Sequence, residues 1–245
     1  MRVALPGGLD IFLTGTKTHP SEIRLARYLI RSLKAGDGFV DIGAHFGFFS
    51  LLAARLVGDH GTVLAFEPSP SSFRLLADNT RDCANVQAIR QAVSEKNDLL
   101  TFFEFPARYS EYNALDVGQY VQEPWFKHYP PREIHTPSVA LDSFLNAMPD
   151  FYPALVKIDV EGAEDRVLSG MRQTLQEATP PVIVMEFLAN RPASSHERAA
   201  ALLFGIGYSA FSIDEEGALV PLSDIPAHLR SGGLESENIV FRKVG

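Results

Sequence analysis

The chain is short of most things that would assign it to a specialised class. A single cysteine, Cys83, in 245 residues excludes an internal disulfide framework and a cysteine-rich zinc site. No run approaches the ~20 apolar residues needed to span a bilayer. Pro6, Gly7 and Gly8 break the N-terminus before a secretory apolar region could form. Basic residues are outnumbered, 22 Lys and Arg against 30 Asp and Glu, for a net charge of −8 without any dense basic cluster. A nucleic-acid groove needs the opposite balance, so no nucleic-acid partner is expected. Internal repeats and low-complexity linkers are lacking too, which makes one domain over 1–245 the economical reading. What is present is ordinary: 46% hydrophobic and 21% charged residues, the composition of a soluble protein, expected in the cytoplasm.

Apolar periodicity predicts a helix over 21–33, with Ser21 as N-cap, inside an N-terminal helical cap of residues 1–35. Strands and helices then alternate. Strands are expected at 39–42, 62–66, 86–92, 99–105, 154–159, 182–187, 208–213 and 238–242. Helices are expected at 46–57, 71–83, 163–176 and 194–204. Continuous apolar runs such as Val182-Ile183-Val184-Met185 suit strands covered on both faces. The alternation predicts an α/β fold with a doubly wound, mostly parallel sheet. The last two strands lack a helix-length spacer and predict an antiparallel edge pair.

The most informative stretch is Phe39-Val40-Asp41-Ile42-Gly43-Ala44-His45-Phe46-Gly47, followed by Phe66-Glu67-Pro68. It reads as a strand ending at an acid, a glycine turn, a helix, and a second strand ending in a carboxylate. Adjacent parallel strands with such tips form a nucleoside crevice, with Glu67 placed to accept ribose hydroxyls. A dinucleotide site needs G-x-G-x-x-G, so that the backbone can approach a pyrophosphate. Here His45 holds the middle glycine's place, and the Asp41 charge would repel a diphosphate while suiting a sulfonium or ammonium. S-adenosylmethionine fits better than NAD. An NAD(P)-dependent oxidoreductase and a non-catalytic nucleoside-binding module stay open as alternatives.

A second acidic cluster, Lys157-Ile158-Asp159-Val160-Glu161-Gly162-Ala163-Glu164, ends another central strand, and Glu186 ends the next. Parallel strands of one sheet end at the same edge, so these acids should converge on the Gly43 turn. Two mechanisms follow. Asp159 or Glu161 takes the proton of an acceptor hydroxyl as general base. Alternatively Asp159, Glu161 and Glu186 hold a hard cation such as Mg²⁺, for which oxygen ligands are suited. His45 and the two loop histidines, His128 and His135, are rival bases. Residues 106–137 hold five prolines and six aromatics (Tyr109, Tyr112, Tyr120, Trp125, Phe126, Tyr129). Such an insertion is expected to be a lid or a substrate-binding loop.

Taken in order, these motifs resemble the FkbM family of S-adenosylmethionine-dependent methyltransferases. The matching pieces are Asp41 to Ser50, Phe66-Glu67-Pro68-Ser69-Pro70, Leu76 with Asn79, Gln91-Ala92-Val93-Ser94, Ala140-Leu141-Asp142-Ser143-Phe144 and Lys157 to Glu164. The resemblance implies a Rossmann-like, seven-stranded class I methyltransferase fold. It also implies methyl transfer to oxygen, with a small-molecule or glycan acceptor of sugar or polyketide type. Carried over, Asp41, Gly43, His45 and Gly47 would shape the methionine end of the donor pocket. Glu67 and Pro68 would border the ribose, Ser69 the adenosine, and Ala92-Val93 the adenine. Asp159 and Glu161 would lie at the transfer point, near donor and acceptor alike. The family commonly has Asn where this chain has His45.

Overall fold

The computed structural model describes residues 1–6, 8–189 and 195–243. The N-terminal segment forms α1 (Leu9–Thr14) and α2 (Pro20–Ser32). The central run follows as β1 (Gly38–Ile42), α3 (Phe48–Val57), β2 (Thr62–Phe66), α4 (Pro70–Thr80) and β3 (Val86–Ile89). Three further strands are β4 (Ala92–Val93), β5 (Asp98–Glu104) and β6 (Arg132–Val139). Then come α5 (Leu141–Leu145), β7 (Pro153–Ile158), α6 (Glu164–Ser169), β8 (Val182–Leu188) and α7 (Ser195–Gly205). The chain closes with β9 (Tyr208–Ile213), β10 (Leu219–Leu222), α8 (Ile225–Gly232) and β11 (Ser236–Lys243).

The main sheet has eight strands in the order β10-β9-β11-β8-β7-β1-β2-β3. Five of them, β8-β7-β1-β2-β3, are mutually parallel, while β11 runs antiparallel to both β8 and β9. The expected seven-stranded sheet thus gains one strand, because β10 adds antiparallel to β9 at the edge. Its Pro221 cannot donate to a ladder, which hides such a strand in the sequence and is tolerated at an edge. A second, three-stranded sheet, β4-β6-β5, lies apart from the first.

Side chains of one strand point alternately to two layers, and the core divides accordingly. Val40, Ile42, Leu64, Phe66, Val156 and Ile158 face a layer built from α6, α7 and α8, with Val167, Leu168, Leu203 and Leu229. Phe39, Val63, Leu155, Val184 and Val240 face the other layer, with Leu25 and Leu29 of α2 and Phe49, Ala53 and Val57 of α3. Each large apolar side chain buried here contributes about 1.5–3 kcal/mol relative to exposure. Burial on both faces explains why the parallel strands read as continuous apolar runs.

Several boundaries move for local reasons. The expected strand 86–92 divides, because β3 pairs with β2 and β4 pairs with β6 of the small sheet. The helix expected over 163–176 stops at Ser169. The next residue is Gly170, where a β-carbon would lie 2.0 Å from the Ser94 carbonyl oxygen. The helix expected from 46 starts at Phe48, behind a left-handed Gly47 N-cap (φ 86°). Ser194, the expected start of α7, lies outside the described residues. Of the insertion 106–137, residues from Arg132 onward belong to β6. Among the described residues, no helix is long and apolar enough to cross a membrane.

Candidate active site

Two turns meet at the carboxyl ends of β1 and β7. After Ile42 the chain reverses at Gly43 (φ 79°), whose N–H donates to the Phe66 carbonyl at 3.0 Å. A β-carbon at Gly43 would sit 1.8 Å from the Asp159 carbonyl oxygen, so glycine lets the two turns touch backbone to backbone. The Asp159 N–H in turn donates to the Ile42 carbonyl at 3.0 Å. Among the described residues, the non-glycine positions in the left-handed region are His45 (φ 51°) and Glu161 (φ 54°), one in each turn. Such backbone costs of order 1 kcal/mol or more and clusters at functional sites.

The first turn organises a buried carboxylate. Glu67 accepts the His45 N–H at 2.8 Å on one oxygen and the Ser69 N–H at 2.9 Å on the other. Burial outweighs these two bonds and raises its pKa to about 7. The His45 ring stacks on Phe46, centroids 3.6 Å apart, and its Nε2 lies 2.9 Å from the Ser110 hydroxyl. Burial, aided by the positive charge of Lys17, lowers its pKa to about 3. The imidazole is therefore neutral at physiological pH and a weak base.

The second turn separates its acids by environment. Lys157, buried, sits 3.0 Å from Asp159 Oδ2 and 3.6 Å from Asp41 Oδ1. Burial opposes the Asp159 charge, yet Lys157 prevails and holds that carboxyl below the ordinary range. Glu161 and Glu186 go the other way. Burial and then their neighbouring carboxylates raise both, Glu186 to about 8. The Tyr120 hydroxyl donates to Glu161 Oε2, and Gln119 Nε2 donates to the Glu161 carbonyl at 2.9 Å. Glu164 accepts the Gly162 N–H at 3.0 Å and fixes the turn from behind.

Residues 106–131 close over both turns. Phe105, Tyr120, Tyr109, Tyr112, Trp125 and Phe126 form their own apolar cluster. Tyr109 stacks on Trp125 at 4.3 Å with only 10° between the rings. Through Ser110 and Tyr120 this cluster grips the two left-handed residues, His45 and Glu161. Beneath it lies a cavity of about 800 Å³, within the usual range for small-ligand sites.

The cavity gathers most of the residues expected from the sequence. Gly43, His45, Glu67, Pro68, Ala92, Val93, Asp159, Glu161 and Glu186 all line it. Asp41, Gly47 and Ser69 do not. Asp41 is 1% exposed, lies 3.6 Å from Lys157 and accepts from the Ser50 hydroxyl at 2.6 Å. Gly47 lies against Leu76 of α4. Ser69 caps α4, its Oγ accepting the Ser72 N–H, and donates to Glu104 at 2.6 Å. His128 and His135 are exposed and lie outside the cavity. Reasoning from sequence missed Lys17, Ser110 and Gln119; the aromatic richness of 106–137 signalled Tyr112, Tyr120 and Trp125 only as a group.

For Mg²⁺ the donor set is right in type. Asp159, Glu161 and Glu186 each offer an oxygen, all within 4.8 Å of one another. The fit is poor in detail, because Asp159 already pairs with Lys157 and Glu161 already accepts Tyr120.

Residues 41–210 match the Methyltransferase FkbM domain family. Among curated proteins no sequence matches. Solved structures share the fold at low identity. An O-methyltransferase from Bacillus cereus, in complex with S-adenosylhomocysteine, aligns with TM-score 0.50 at 13% identity, covering 97% of this chain and 87% of that one. A candidate rRNA methylase from Clostridium thermocellum gives 0.53 at 13% identity, covering 94% and 99%. A candidate O-methyltransferase from Klebsiella pneumoniae gives 0.51 at 10% identity, covering 98% and 88%. The fold is that of S-adenosylmethionine-dependent methyltransferases, with a mostly parallel sheet and antiparallel edge strands.

Proposed function

The chain belongs to the FkbM methyltransferase family, and from that premise we propose that it methylates a hydroxyl of a sugar, glycan or polyketide-type small molecule. The observation that carries this reading is the contact of the two turns. It brings a ribose-type acid, Glu67, and the Asp159–Glu161 pair into one cavity. Each Glu67 oxygen takes a single backbone N–H, which leaves acceptor capacity on both for vicinal ribose hydroxyls. Pro68, Ala92 and Val93 offer an apolar slot beside it for adenine. The residues present fit the donor.

When bound, S-adenosylmethionine supplies a methyl group on a sulfonium, open to in-line attack by the acceptor oxygen. The chain's own residues align and deprotonate. Alignment of the reacting groups is worth about 7–11 kcal/mol of such a barrier. Asp159, kept ionised by Lys157, stands as a fixed negative charge toward the cationic donor. Glu161 is the general base, because its raised pKa brings a carboxylate closer to the acceptor's proton affinity. Glu186 shares that proton, as paired carboxylates do. Aromatic rings at Tyr112, Tyr120 and Trp125, beside carboxylates, suit the apolar faces and hydroxyls of a sugar.

Although one structural relative is described as a candidate rRNA methylase, nine carboxylate side chains and two lysines line this cavity. That balance repels a phosphate backbone and favours a neutral or cationic acceptor. The test has two stages. Calorimetric titration with S-adenosylhomocysteine should show binding, and its absence would defeat the donor. Methyl-transfer assays over glycans, polyketides and RNA should then give product with a hydroxylated small molecule; product with RNA alone would overturn the acceptor class.

A further inference from the structure

The methionine half of the donor carries a carboxylate, and an anion brought among nine acids needs a cation beside it. Among the described residues lining the cavity, Lys17 and Lys157 are the side chains with a permanent positive charge. Lys157 is committed. It lies between Asp159 at 3.0 Å and Asp41 at 3.6 Å, and its side chain is 4% exposed. Lys17 has one ion pair among the described residues, Glu22 at 2.8 Å, and its side chain keeps 23% exposure. Its charge reaches both turns, since it acts on His45 and on Asp159.

Its backbone is held in place. Asp10 accepts the Ile11 N–H at 2.8 Å and the Thr18 N–H at 3.3 Å, tying the first turn of α1 to the segment that carries Lys17. Glu22, in the first turn of α2, steadies the ammonium from one side and leaves two of its three N–H groups for another acceptor. Asp10, Lys17, Thr18 and Glu22 all line the cavity, so this segment is one of its walls.

We propose that Lys17 receives the α-carboxylate of the donor's methionine half, and that the segment from Asp10 to Glu22 is the part of the donor site that recognises the amino-acid end. This rests on the reading that S-adenosylmethionine occupies the cavity. Adenosine recognition then belongs to Glu67 and the Ala92-Val93 slot, and amino-acid recognition to the N-terminal segment.

Two probes separate these halves: S-adenosylhomocysteine, which has the carboxylate, and 5′-methylthioadenosine, which lacks the amino-acid end. Calorimetry on the full chain compares Lys17→Met, Lys17→Arg and Glu67→Ala with the parent. Lys17→Met should weaken S-adenosylhomocysteine about tenfold to a hundredfold, the scale of one charge-assisted hydrogen bond, and leave 5′-methylthioadenosine unchanged. Lys17→Arg should restore most of that loss, while Glu67→Ala should weaken both probes. Unchanged S-adenosylhomocysteine affinity in Lys17→Met would overturn the assignment. So would an equal loss of both probes with Lys17→Arg no better. Failure of the parent protein to bind either probe would instead defeat the donor reading on which the assignment stands.

Discussion

Replacing Glu67 by Gln should change the pH dependence of donor binding more than its existence. Ribose hydroxyls donate hydrogen bonds, so they favour the ionised carboxylate, and Glu67 titrates at about 7. Below that pH the acid must first lose its proton, which costs affinity about tenfold per pH unit. At pH 5.5 the parent should bind S-adenosylhomocysteine about thirtyfold more weakly than at pH 8.5. Glu67→Gln lacks this proton and should lose that part of the slope, with plateau affinity about tenfold to a hundredfold lower through weaker bonds to ribose. Glu161 and Glu186 titrate in both proteins, so the comparison between variant and parent is decisive. Without ligand the same group acts on stability. Its folded pKa is raised above the usual 4.5, so the native state holds the proton longer than the unfolded chain. Stability then falls as pH rises from about 4.5 to 7, by about 3 kcal/mol. The glutamine escapes this loss, but its amide presents N–H toward a backbone N–H, a cost of about 1–3 kcal/mol. The variant should therefore be less stable than the parent at pH 5 and match or exceed it at pH 8. Calorimetry in two buffers of different ionisation enthalpy reads the proton release, and thermal unfolding reads the stability. Identical pH slopes in parent and variant would refute the reasoning.

Gly43→Ala places a β-carbon 1.8 Å from the Asp159 carbonyl oxygen at φ 79°; a loss of about 3 kcal/mol should lower Tm by roughly 6–12 °C and abolish S-adenosylhomocysteine binding in calorimetry. Lys157→Met leaves Asp41 buried without its counter-charge, a cost of about 3–5 kcal/mol. Because the orphaned acids would then hold protons in the native state, unfolding assays should show the deficit largest at pH 8 and smaller at pH 5. Once an acceptor is in hand, the turnover rate should rise with pH through the Glu161–Glu186 pair, and Glu161→Gln should lower it about 10²- to 10⁴-fold while flattening the pH profile. Treatment with EDTA should leave turnover unchanged, since Lys157 and Tyr120 already occupy two of the three acids a cation would use.

The turns were legible because their chemistry is local. Glycine at a strand tip, an acid beyond the next strand, and the Asp159-Val160-Glu161-Gly162 run all state their conformations in a few residues. The partner of Asp41 was not legible, because it is set by register. The β1–β7 pairing puts Asp41 directly opposite Lys157, and nothing within either segment reveals that pairing. The extra strand β10 was hidden by Pro221, and the strand expected over 86–92 by its switch between sheets. Lys17 sits in a short polar stretch without periodicity, so only the folded chain brings it to the cavity. Tyr120 was visible as one ring among many, its tie to Glu161 being a contact across 41 residues.

The last strand is threaded between two others, with β8 on one side and β9 on the other. It also moors α2: Ser21 donates to Glu237 at 2.8 Å and accepts the Asn238 N–H at 2.8 Å, while Arg24 pairs with the same glutamate. During synthesis, therefore, α2 waits for a strand 217 residues further along the chain before it gains its berth, and until then β8 and β9 keep open, aggregation-prone margins. Lys17 stands just ahead of that helix and lines the cavity, so a nascent protein would set this wall of the site only after β11 has been made.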